Sequence, residues 1–320
     1  MIKYNRVIKY MEKLKIHFLN TIWSDSILLE RNNKFALVDT ASPFYYPMVK
    51  KHLDDLNIKE LEFILLTHFH VDHYGNMKNI INDFKVKKIY LKKYYGLDGT
   101  TSSGYDSNEE YIANEFKNYE NILEAAKNNN TEIIFFDEYN ENMVTLDFMN
   151  IPLELYDANN LLYELYSNPE SEFYNQKRFN ENFNSIGVFI RVNDNNIFLG
   201  GDATCSNTDI KEVKELSIKM INRIYDRHNI DHIDIYKSCH HGGGGTNTLN
   251  LCKLLKAKYA IITNTARWLD TYDTYKNLTE GNKDVEIMPT DYQKYIFDIS
   301  ESISYEVIKE ESLFLTLKKN

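Results

Sequence analysis

The sequence predicts an α/β fold in a single domain that spans residues 1–320. Stretches with the apolar pattern of strands alternate along the chain with stretches of helical spacing, which is typical of layered α/β proteins. No internal repeat is present, and 12 Gly and 5 Pro in the whole chain leave no linker-like stretch. One continuous domain with insertions is therefore expected rather than two domains joined by a linker.

The first half of the chain supplies paired strands and the helices that follow them. Strands are predicted at residues 14–19, 26–30, 35–39, 61–66, 88–91, 132–136, 143–146 and 151–156, with helices at about 46–56 and 108–128. Asn32 and Asn33 make a turn between the second and third strands. Residues 61–66 are apolar apart from Glu62, as expected for a strand that is buried on both faces.

The second half continues the alternation after an irregular stretch at residues 159–184. Strands are predicted at 185–192, 196–199, 233–237, 259–263, 285–288 and 295–298, with helices at about 209–225 and 248–255. The irregular stretch and its borders carry Tyr156, Tyr163, Tyr166 and Tyr174, whose rings could stack on a substrate. Packing is the simpler interpretation, because the chain holds 24 tyrosines in all.

Composition and charge narrow the class of partner. The formal net charge of −10 argues against broad binding of nucleic acid, because contacts with the phosphate backbone need clustered Lys and Arg. Hydrolysis of a small phosphoester is compatible with this charge, since bound cations supply positive charge locally. Nothing in the sequence indicates the oligomeric state.

The cysteines and the N-terminus indicate a reducing compartment. Cys205, Cys239 and Cys252 form an odd set without CxxC spacing, which favours buried thiols over disulfides. Residues 1–15 carry charges throughout and lack a signal-peptide core, and no apolar run reaches the length of a membrane span. A cytoplasmic protein without a membrane partner is expected.

The strongest chemical signal is the segment His68-x-His70-x-Asp72-His73. It follows directly on the apolar run at 61–66, so a buried strand delivers these side chains to a loop. Neutral imidazoles and a carboxylate suit Zn²⁺ or a similar first-row ion. Such a loop can serve two metals, with His68 and His70 on one and Asp72 and His73 on the other. A chance cluster of histidines is the alternative, but further ligand-type residues at strand ends downstream argue against it.

The segment resembles the signature of the metallo-β-lactamase superfamily, which implies a four-layer αββα sandwich and a metal-dependent hydrolase. By this resemblance Asp202, after the strand at 196–199, is the carboxylate that bridges the metals, and Asp39 orients the histidine loop. The turn that contains His240 and His241 is the last ligand position. Many members place the ligand directly before a glycine, which selects His241 and leaves His240 to support it or face the substrate.

One departure from the family pattern is clear. Most dinuclear members carry another histidine before the bridging aspartate, but no histidine occurs here between His73 and His228. Asp157, Asn184 and Ser185 are the candidate oxygen ligands in its place. The departure resembles the hydrolase domain of the bacterial competence DNA-uptake channel, through an Asn-x-x-Ser segment at 182–185 and a Lys-x-x-His-His-Gly segment at 237–242.

The resemblance runs from about residue 14 to 300, with insertions at about 95–130 and 157–182. It implies a phosphoesterase, most specifically a phosphodiesterase, that uses a hydroxide held by one or two Zn²⁺ ions, or by Mn²⁺. The predicted metal ligands are His68, His70, Asp72, His73, Asp202 and His241, and the predicted catalytic residues are Asp72, Asp202 and His240. The alternatives are a lactonase- or β-lactamase-like hydrolase, and a metal-binding protein without activity.

Several nearby residues have two interpretations. The glycines at 242–245 could offer N–H groups to an anionic substrate or serve as a flexible turn, and Thr246 could cap the helix that follows. Lys237 and Arg267 could meet a phosphate, but a solvated or structural role is the expectation for each. The other four histidines lack ligand-like spacing and are expected to be structural or on the surface: His17, His52, His228 and His232.

Overall fold

Two large β-sheets form the centre of the protein, in a computed structural model that describes residues 13–97, 105–136, 143–158, 161–171, 174, 180–204, 214–243, 245–266 and 273–310. The first sheet contains β1 (Leu14–Phe18), β2 (Ile27–Arg31), β3 (Lys34–Val38), β5 (Phe63–Leu65), β7 (Lys88–Leu91), β8 (Glu132–Phe135), β16 (Gln293–Ile299) and β17 (Ile303–Lys309). Its strand order is β17-β16-β1-β2-β3-β5-β7-β8. The short strands β4 (Glu60–Leu61) and β6 (Lys85–Val86) pair separately.

The second sheet has seven strands. They are β9 (Met143–Phe148), β10 (Ile151–Tyr156), β11 (Gly187–Val192), β12 (Asn195–Leu199), β13 (Ile235–Lys237), β14 (Tyr259–Ile262) and β15 (Glu286–Pro289), in the order β15-β14-β13-β12-β11-β10-β9. Strands β12 to β15 are parallel to one another. Their carboxyl ends therefore meet at one edge of the sheet, which is where ligand-binding loops gather in such sheets.

Helices cover the outer face of each sheet. They are α1 (Tyr46–Asp55), α2 (Val71–Tyr74), α3 (Met77–Asp83), α4 (Asn108–Asn128), α5 (Leu161–Ser167), α6 (Leu216–His228), α7 (Leu249–Leu255) and α8 (Thr274–Gly281). Apolar side chains of α1, α3 and α4 pack on the first sheet, and those of α6, α7 and α8 pack on the second. The predicted αββα sandwich is confirmed. Among the described helices, none combines the length and apolar character needed to cross a membrane.

The alternation of side chains along the strands builds the layers. In β1, Leu14, Ile16 and Phe18 enter the core between the two sheets, whereas His17 points to the helical side. In β3, Val38 belongs to that inner core and Leu37 to the layer under the helices. Each strand of the inner region thus buries both of its faces, as a four-layer architecture requires.

Some elements differ from the sequence prediction. The apolar run at 61–66 is not one strand, because the chain steps at Glu62 from the small β4–β6 sheet into the large one. Helices α5 and α8 and the edge strand β17 were not predicted. The helix expected at about 209–225 is observed as α6, which begins at Leu216, and residues 205–213 lie outside the described residues.

A buried chain of hydrogen bonds joins the first sheet to α1. Lys294 Nζ lies 3.1 Å from His52 Nδ1, His52 Nε2 lies 3.0 Å from His17 Nδ1, and His17 Nε2 lies 3.1 Å from Glu30 Oε2. Because the lysine can only donate, His52 must accept at Nδ1 and donate at Nε2, and His17 then donates to Glu30. Both histidines are structural, as expected.

The hydrogen bonds around His52 lead to a prediction that the protein loses stability in acid. Burial, followed by the charges of Lys294 and His17, lowers the pKa of His52 from 6.5 to about 3. A histidine with a lowered pKa in the folded state stabilises the protein above pH 6.5, and this contribution is lost as the pH falls from 6.5 toward 3. The His52→Gln variant should remove a slope of up to about 1.4 kcal/mol per pH unit from the free energy of unfolding over that window.

The measurement is urea denaturation at a series of pH values. His232→Gln is the matched control, because the side chain of His232 is 45% exposed. An identical pH dependence in wild type and His52→Gln would contradict the prediction.

Candidate metal centre

The histidine loop leaves β5 and enters the short helix α2. Thr67, His68 and His73 are buried, whereas His70 and Asp72 are partly exposed. The loop is fixed on both sides by its backbone, since Leu66 N–H donates to Tyr90 O and Ile186 N–H donates to Thr67 O. His68 Nε2 and His70 Nδ1 lie 3.1 Å apart, so these two rings converge on one place.

Two turns of the second sheet bring further ligand-type side chains to this loop. Asp202 follows β12 and His241 follows β13, at the edge where the parallel strands end. His241 Nε2 lies 3.1 Å from Asp72 Oδ2 and 3.5 Å from Asp202 Oδ2, and His73 Nε2 lies 3.3 Å from Asp202 Oδ2. One ligand atom from each of Asp72, His73, Asp202 and His241 lies within 4.8 Å of the others, so the four could hold one cation.

Asp202 also lies close to His68 of the histidine loop and to His240. Its Oδ2 lies 3.8 Å from His68 Nε2 and 3.9 Å from His240 Nε2. The same oxygen therefore stands between a set made by Asp72, His73 and His241 and a set that contains His68. This is the arrangement expected of a carboxylate that bridges two metal positions.

The consecutive histidines 240 and 241 share an unusual backbone. Both have positive φ values, 49° and 52°, which a non-glycine residue adopts at an energetic cost. His240 N–H donates to Gly201 O, which ties the turn to the residue before Asp202. Only His241 belongs to the four-residue group with Asp72, His73 and Asp202, while the side chain of His240 is 30% exposed and borders Asp202 from another side.

Two buried carboxylates hold the ligand histidines from behind. Asp39 accepts from Thr67 N–H at 2.8 Å and contacts His73 Nδ1 at 2.7 Å. Asp25 Oδ1 lies 3.2 Å from His241 Nδ1, and Thr263 Oγ1 lies 2.9 Å from the same nitrogen. With their Nδ1 atoms engaged in this way, both rings present Nε2 to the metal position. The expected orienting role of Asp39 agrees with its contacts, while Asp25 was not predicted as a site residue.

The charges of this cluster are tightly coupled. Burial disfavours the charged forms, but the carboxylates of Asp202, Asp39 and Asp72 raise the pKa of His73 well above 6.5. Asp202 and Asp25 likewise raise the pKa of His241 to about 10 against the effect of burial. The same contacts lower the pKa of Asp202 despite its burial. A cation that binds here takes the place of the imidazole protons, so binding and proton release are coupled.

The donor set fits a divalent metal. His73 Nε2, Asp202 Oδ1 and His240 Nδ1 are buried and make no hydrogen bond within the part of the chain that the structure describes. Buried polar atoms without a partner are costly, and a cation held by the four-residue group would satisfy His73 Nε2. Imidazole nitrogens with carboxylate oxygens are also the ligands that Zn²⁺ and neighbouring first-row ions prefer.

The three residues that were candidate ligands in place of the missing histidine make different contacts in the structure. Asp157 pairs with Arg223 at 2.5 Å, and Asn184 Oδ1 accepts from Lys92 Nζ at 2.9 Å, so both are engaged away from the ligand atoms. Ser185 Oγ accepts from Asp202 N–H at 3.1 Å and therefore supports the backbone at Asp202. None of the three reaches the ligand group as a side chain in this structure.

One of the two interpretations near the turn is wrong, and the other is narrowed. Thr246 does not cap the following helix: its hydroxyl donates to Cys239 O and Gly243 O, and Thr248 caps α7 instead. Lys237 has the structural rather than the solvated role of the two expected for it, since it is fully buried and bonded to Asp25. Cys239 is buried, as expected.

The structure describes some of the remaining residues singled out in the sequence. Tyr156, Tyr163 and Tyr166 are buried and packed, whereas Tyr174 is 41% exposed. Residues Arg267, Gly244 and Cys205 lie outside the described residues.

The contact between Asp39 and His73 leads to a prediction. In Asp39→Asn the amide would turn an N–H donor toward His73 Nδ1 or toward Thr67, and the first case forces the His73 proton onto Nε2, where the metal binds. The affinity for Zn²⁺ should fall about 10- to 100-fold, the usual effect of losing such a carboxylate partner. Titration of the demetallated protein with Zn²⁺ measures it.

Asp234→Asn is the matched control. Asp234 is also a carboxylate that accepts a backbone N–H, from Asn196, but it precedes β13 and lies at the opposite end of that strand from the site. Equal Zn²⁺ affinity in wild type and Asp39→Asn would show that Asp39 does not orient His73.

Comparison with known proteins agrees with this geometry. Residues 24–140, which include Asp25, Asp39 and the histidine loop, match the family described as the metallo-beta-lactamase superfamily. The metallo-beta-lactamase fold protein YhfI from Bacillus subtilis superposes over 92% of this chain and 100% of its own, with a TM-score of 0.50 and 10% sequence identity. The chain has the metallo-β-lactamase fold, and residues 24–140 match the model of that superfamily. The predicted fold and the resemblance to this superfamily are confirmed, and the group of possible metal ligands agrees with the predicted class of metallo-hydrolase.

Two further similarities complete the comparison. The uncharacterized protein YobT of Bacillus subtilis (strain 168) is 29% identical over 104 residues, which are 32% of this chain and 44% of that protein. The chain thus spans less than half the length of this curated relative. The metallo hydrolase Igni18 from the archaeon Ignicoccus hospitalis superposes over 94% of this chain and 100% of its own, with a TM-score of 0.44 and 10% identity. The narrower resemblance to the competence-type domain stays a prediction.

Proposed function

We propose that this protein, which has the metallo-β-lactamase fold, hydrolyses phosphoesters, and phosphodiesters in particular, with two divalent cations, Zn²⁺ or Mn²⁺. The observation that carries the proposal is the position of Asp202 Oδ2, which borders His73 and His241 on one side and His68 and His240 on the other. A carboxylate with ligand nitrogens on both sides suits a bridged pair of cations, which is the arrangement that stabilises attacking and leaving oxygens in phosphoryl chemistry.

The proposed ligand sets follow from the distances. Asp72, His73, Asp202 and His241 would hold one cation. His68, His70 and Asp202 would hold the other, with His240 in the place of the absent histidine, because its Nε2 lies at the same distance from Asp202 Oδ2 as that of His68 to within 0.1 Å. When bound, the cations lower the pKa of water and neutralise charge on the phosphoryl oxygens.

Two side chains beside the proposed cations would act on the substrate side. The side chain of Asp72 is 28% exposed, so its carboxylate can orient the attacking water and accept its proton at Oδ. Asn182 Nδ2 lies 3.3 Å from His240 Nε2 and offers N–H groups beside the site, where a phosphoryl oxygen could accept them. The net charge of −10 makes a small phosphoester the preferred substrate over a long nucleic acid.

Bis-p-nitrophenyl phosphate tests the proposal. The Zn²⁺- or Mn²⁺-loaded protein should release p-nitrophenol, and His68→Ala should abolish this release, while the control His232→Ala, at an exposed histidine, should leave it unchanged. A protein that is inactive on this diester but hydrolyses a lactone or a thioester would overturn the proposal in favour of C–O or C–S hydrolysis. A protein that binds metal but turns over none of these substrates would be a metal-binding protein without hydrolytic activity.

A further inference from the structure

A buried lysine lies directly behind the metal centre. Lys237 ends β13 with a side chain that is 0% exposed, and its ammonium donates to Asp25 Oδ2 and, at 3.3 Å, to Gly201 O. Lysine is among the residues least often buried completely, and burial of a charge is costly unless a partner compensates for it. The metal ligands proposed above do not include this lysine, so its burial needs another reason.

Asp25, the partner of Lys237, contacts several parts of the site. Its Oδ1 accepts from Thr263 Oγ1 at 2.6 Å and lies 3.2 Å from His241 Nδ1. Its backbone N–H donates to Asp72 O at 3.1 Å. The aspartate thus touches one ligand through its side chain and another through its backbone, while Lys237 occupies its remaining oxygen.

The directions of the hydrogen bonds fix the ring of His241. Since Thr263 donates its single hydroxyl proton to Asp25 Oδ1, its oxygen accepts from His241 Nδ1. Nδ1 therefore carries the proton, and Nε2 is left as the free ligand atom toward Asp72 and Asp202. If Asp25 rotated, this assignment of donor and acceptor would no longer be enforced.

Lys237 is the group that prevents such a rotation. It binds the oxygen of Asp25 that does not face His241, and its second contact, with Gly201 O, ties it to the residue before Asp202. Two of the turns that carry metal ligands are thus connected through one ammonium group. Its positive charge also offsets one of the four carboxylates that surround the site, those of Asp25, Asp39, Asp72 and Asp202.

We propose that Lys237 is a positioning residue for the metal held by Asp72, His73, Asp202 and His241: it anchors Asp25, which holds His241 with Nε2 toward the cation. The inference rests on the proposed metal site but on no substrate. Loss of a carboxylate partner of a ligand histidine lowers metal affinity about 10- to 100-fold. Loss of Lys237, which anchors the carboxylate of Asp25, should also lower the affinity for the metal.

The test compares Lys237→Met with wild type by titration of the demetallated protein with Zn²⁺. The affinity for the ion held by Asp72, His73, Asp202 and His241 should fall about tenfold or more. The affinity for the ion held by His68 and His70 should change less. The visible absorption bands of the Co²⁺-loaded protein should also change, because they report the coordination geometry.

Lys294→Met is the matched control. Lys294 is also buried and also pairs with a carboxylate, Glu310 at 2.7 Å, but it belongs to the hydrogen-bond chain of His52 and not to the metal centre. Its Zn²⁺ affinity and Co²⁺ spectrum should equal those of wild type. An equal loss of affinity in both lysine variants would reduce the role of Lys237 to general stability and overturn the proposal.

The double variant Asp25→Asn/Lys237→Met keeps the test decisive if Lys237→Met does not fold. It buries no unpaired charge, so it should fold. The Zn²⁺ whose ligands include His241 should still bind about tenfold more weakly than in wild type. Wild-type affinity in the double variant, or in a folded Lys237→Met, would contradict the inference. Because these readouts need no substrate, a protein that binds Zn²⁺ but fails to hydrolyse phosphodiesters would refute the proposed function and leave this inference standing.

Discussion

Asp202→Asn should abolish metal-dependent hydrolysis. The carboxylate Oδ2 lies within 3.3–3.9 Å of the Nε2 atoms of four histidines, so both proposed metal positions share it. The amide removes one negative charge, and in one orientation it turns N–H groups toward the cations. Removing only an indirect partner of a ligand already costs about 10- to 100-fold, so this change should lower Zn²⁺ affinity and turnover by at least about 100-fold.

The experiment measures Zn²⁺ binding and bis-p-nitrophenyl phosphate hydrolysis together. Asp194→Asn is the control, because Asp194 lies in the turn between β11 and β12 with its side chain fully exposed. Circular dichroism establishes that the variant is folded. An Asp202→Asn protein that binds both ions with wild-type affinity and retains turnover would rule out a bridging role.

Phe297→Ala should cause a large loss of stability. Phe297 is completely buried on β16 in the first sheet, and its ring packs on Phe18 and Tyr305 in that sheet and on Tyr259 in the second sheet. Truncation of a buried phenylalanine removes its contacts and leaves a cavity between the sheets. The free energy of unfolding should fall by about 3–5 kcal/mol.

Urea denaturation provides the measurement. Val307→Ala on the edge strand β17 is the control, because Val307 is 42% exposed and its truncation should change stability by less than about 0.5 kcal/mol. A Phe297→Ala protein as stable as the control would show that the two sheets do not pack through this ring.

The sequence predicts best those elements whose signals are local. Helix α4 occupies residues 108–128 as predicted, because Ser107 caps its first turn by accepting from Glu110 N–H and the apolar spacing is regular. Strands with clean alternation, such as β1 and β10, are also found within a residue of their expected ends. In these segments one face is buried throughout, so the pattern of residues reports the structure directly.

Elements that depend on tertiary contacts were missed. Helix α8 buries only Thr274 and Leu278, too little for a helical apolar pattern, and β17 is an edge strand with mostly exposed residues. At Glu62 the chain changes its pairing partner from β6 to β3, to which its backbone N–H donates at Phe35 O, and the sequence pattern does not reveal this change of partner.

The site residues also differ in how well the sequence predicts them. His68, His70, Asp72 and His73 form a contiguous motif, so the sequence alone places them together. Asp25 and Lys237 are 212 residues apart, one between two strands of the first sheet and one at the end of a strand of the second, so only the packing of the two sheets brings them into contact. No spacing rule in the sequence connects Asp25 with His241.

The number of Zn²⁺ ions per chain tests the central claim most directly. Wild-type protein loaded with Zn²⁺ and freed of excess metal should hold two ions, and His73→Ala should hold at most one. Chelation should lower the thermal unfolding temperature of the wild type, since an ion that binds only the folded state stabilises it. Wild-type protein that retains no Zn²⁺, and that unfolds at the same temperature with and without chelator, would contradict the account.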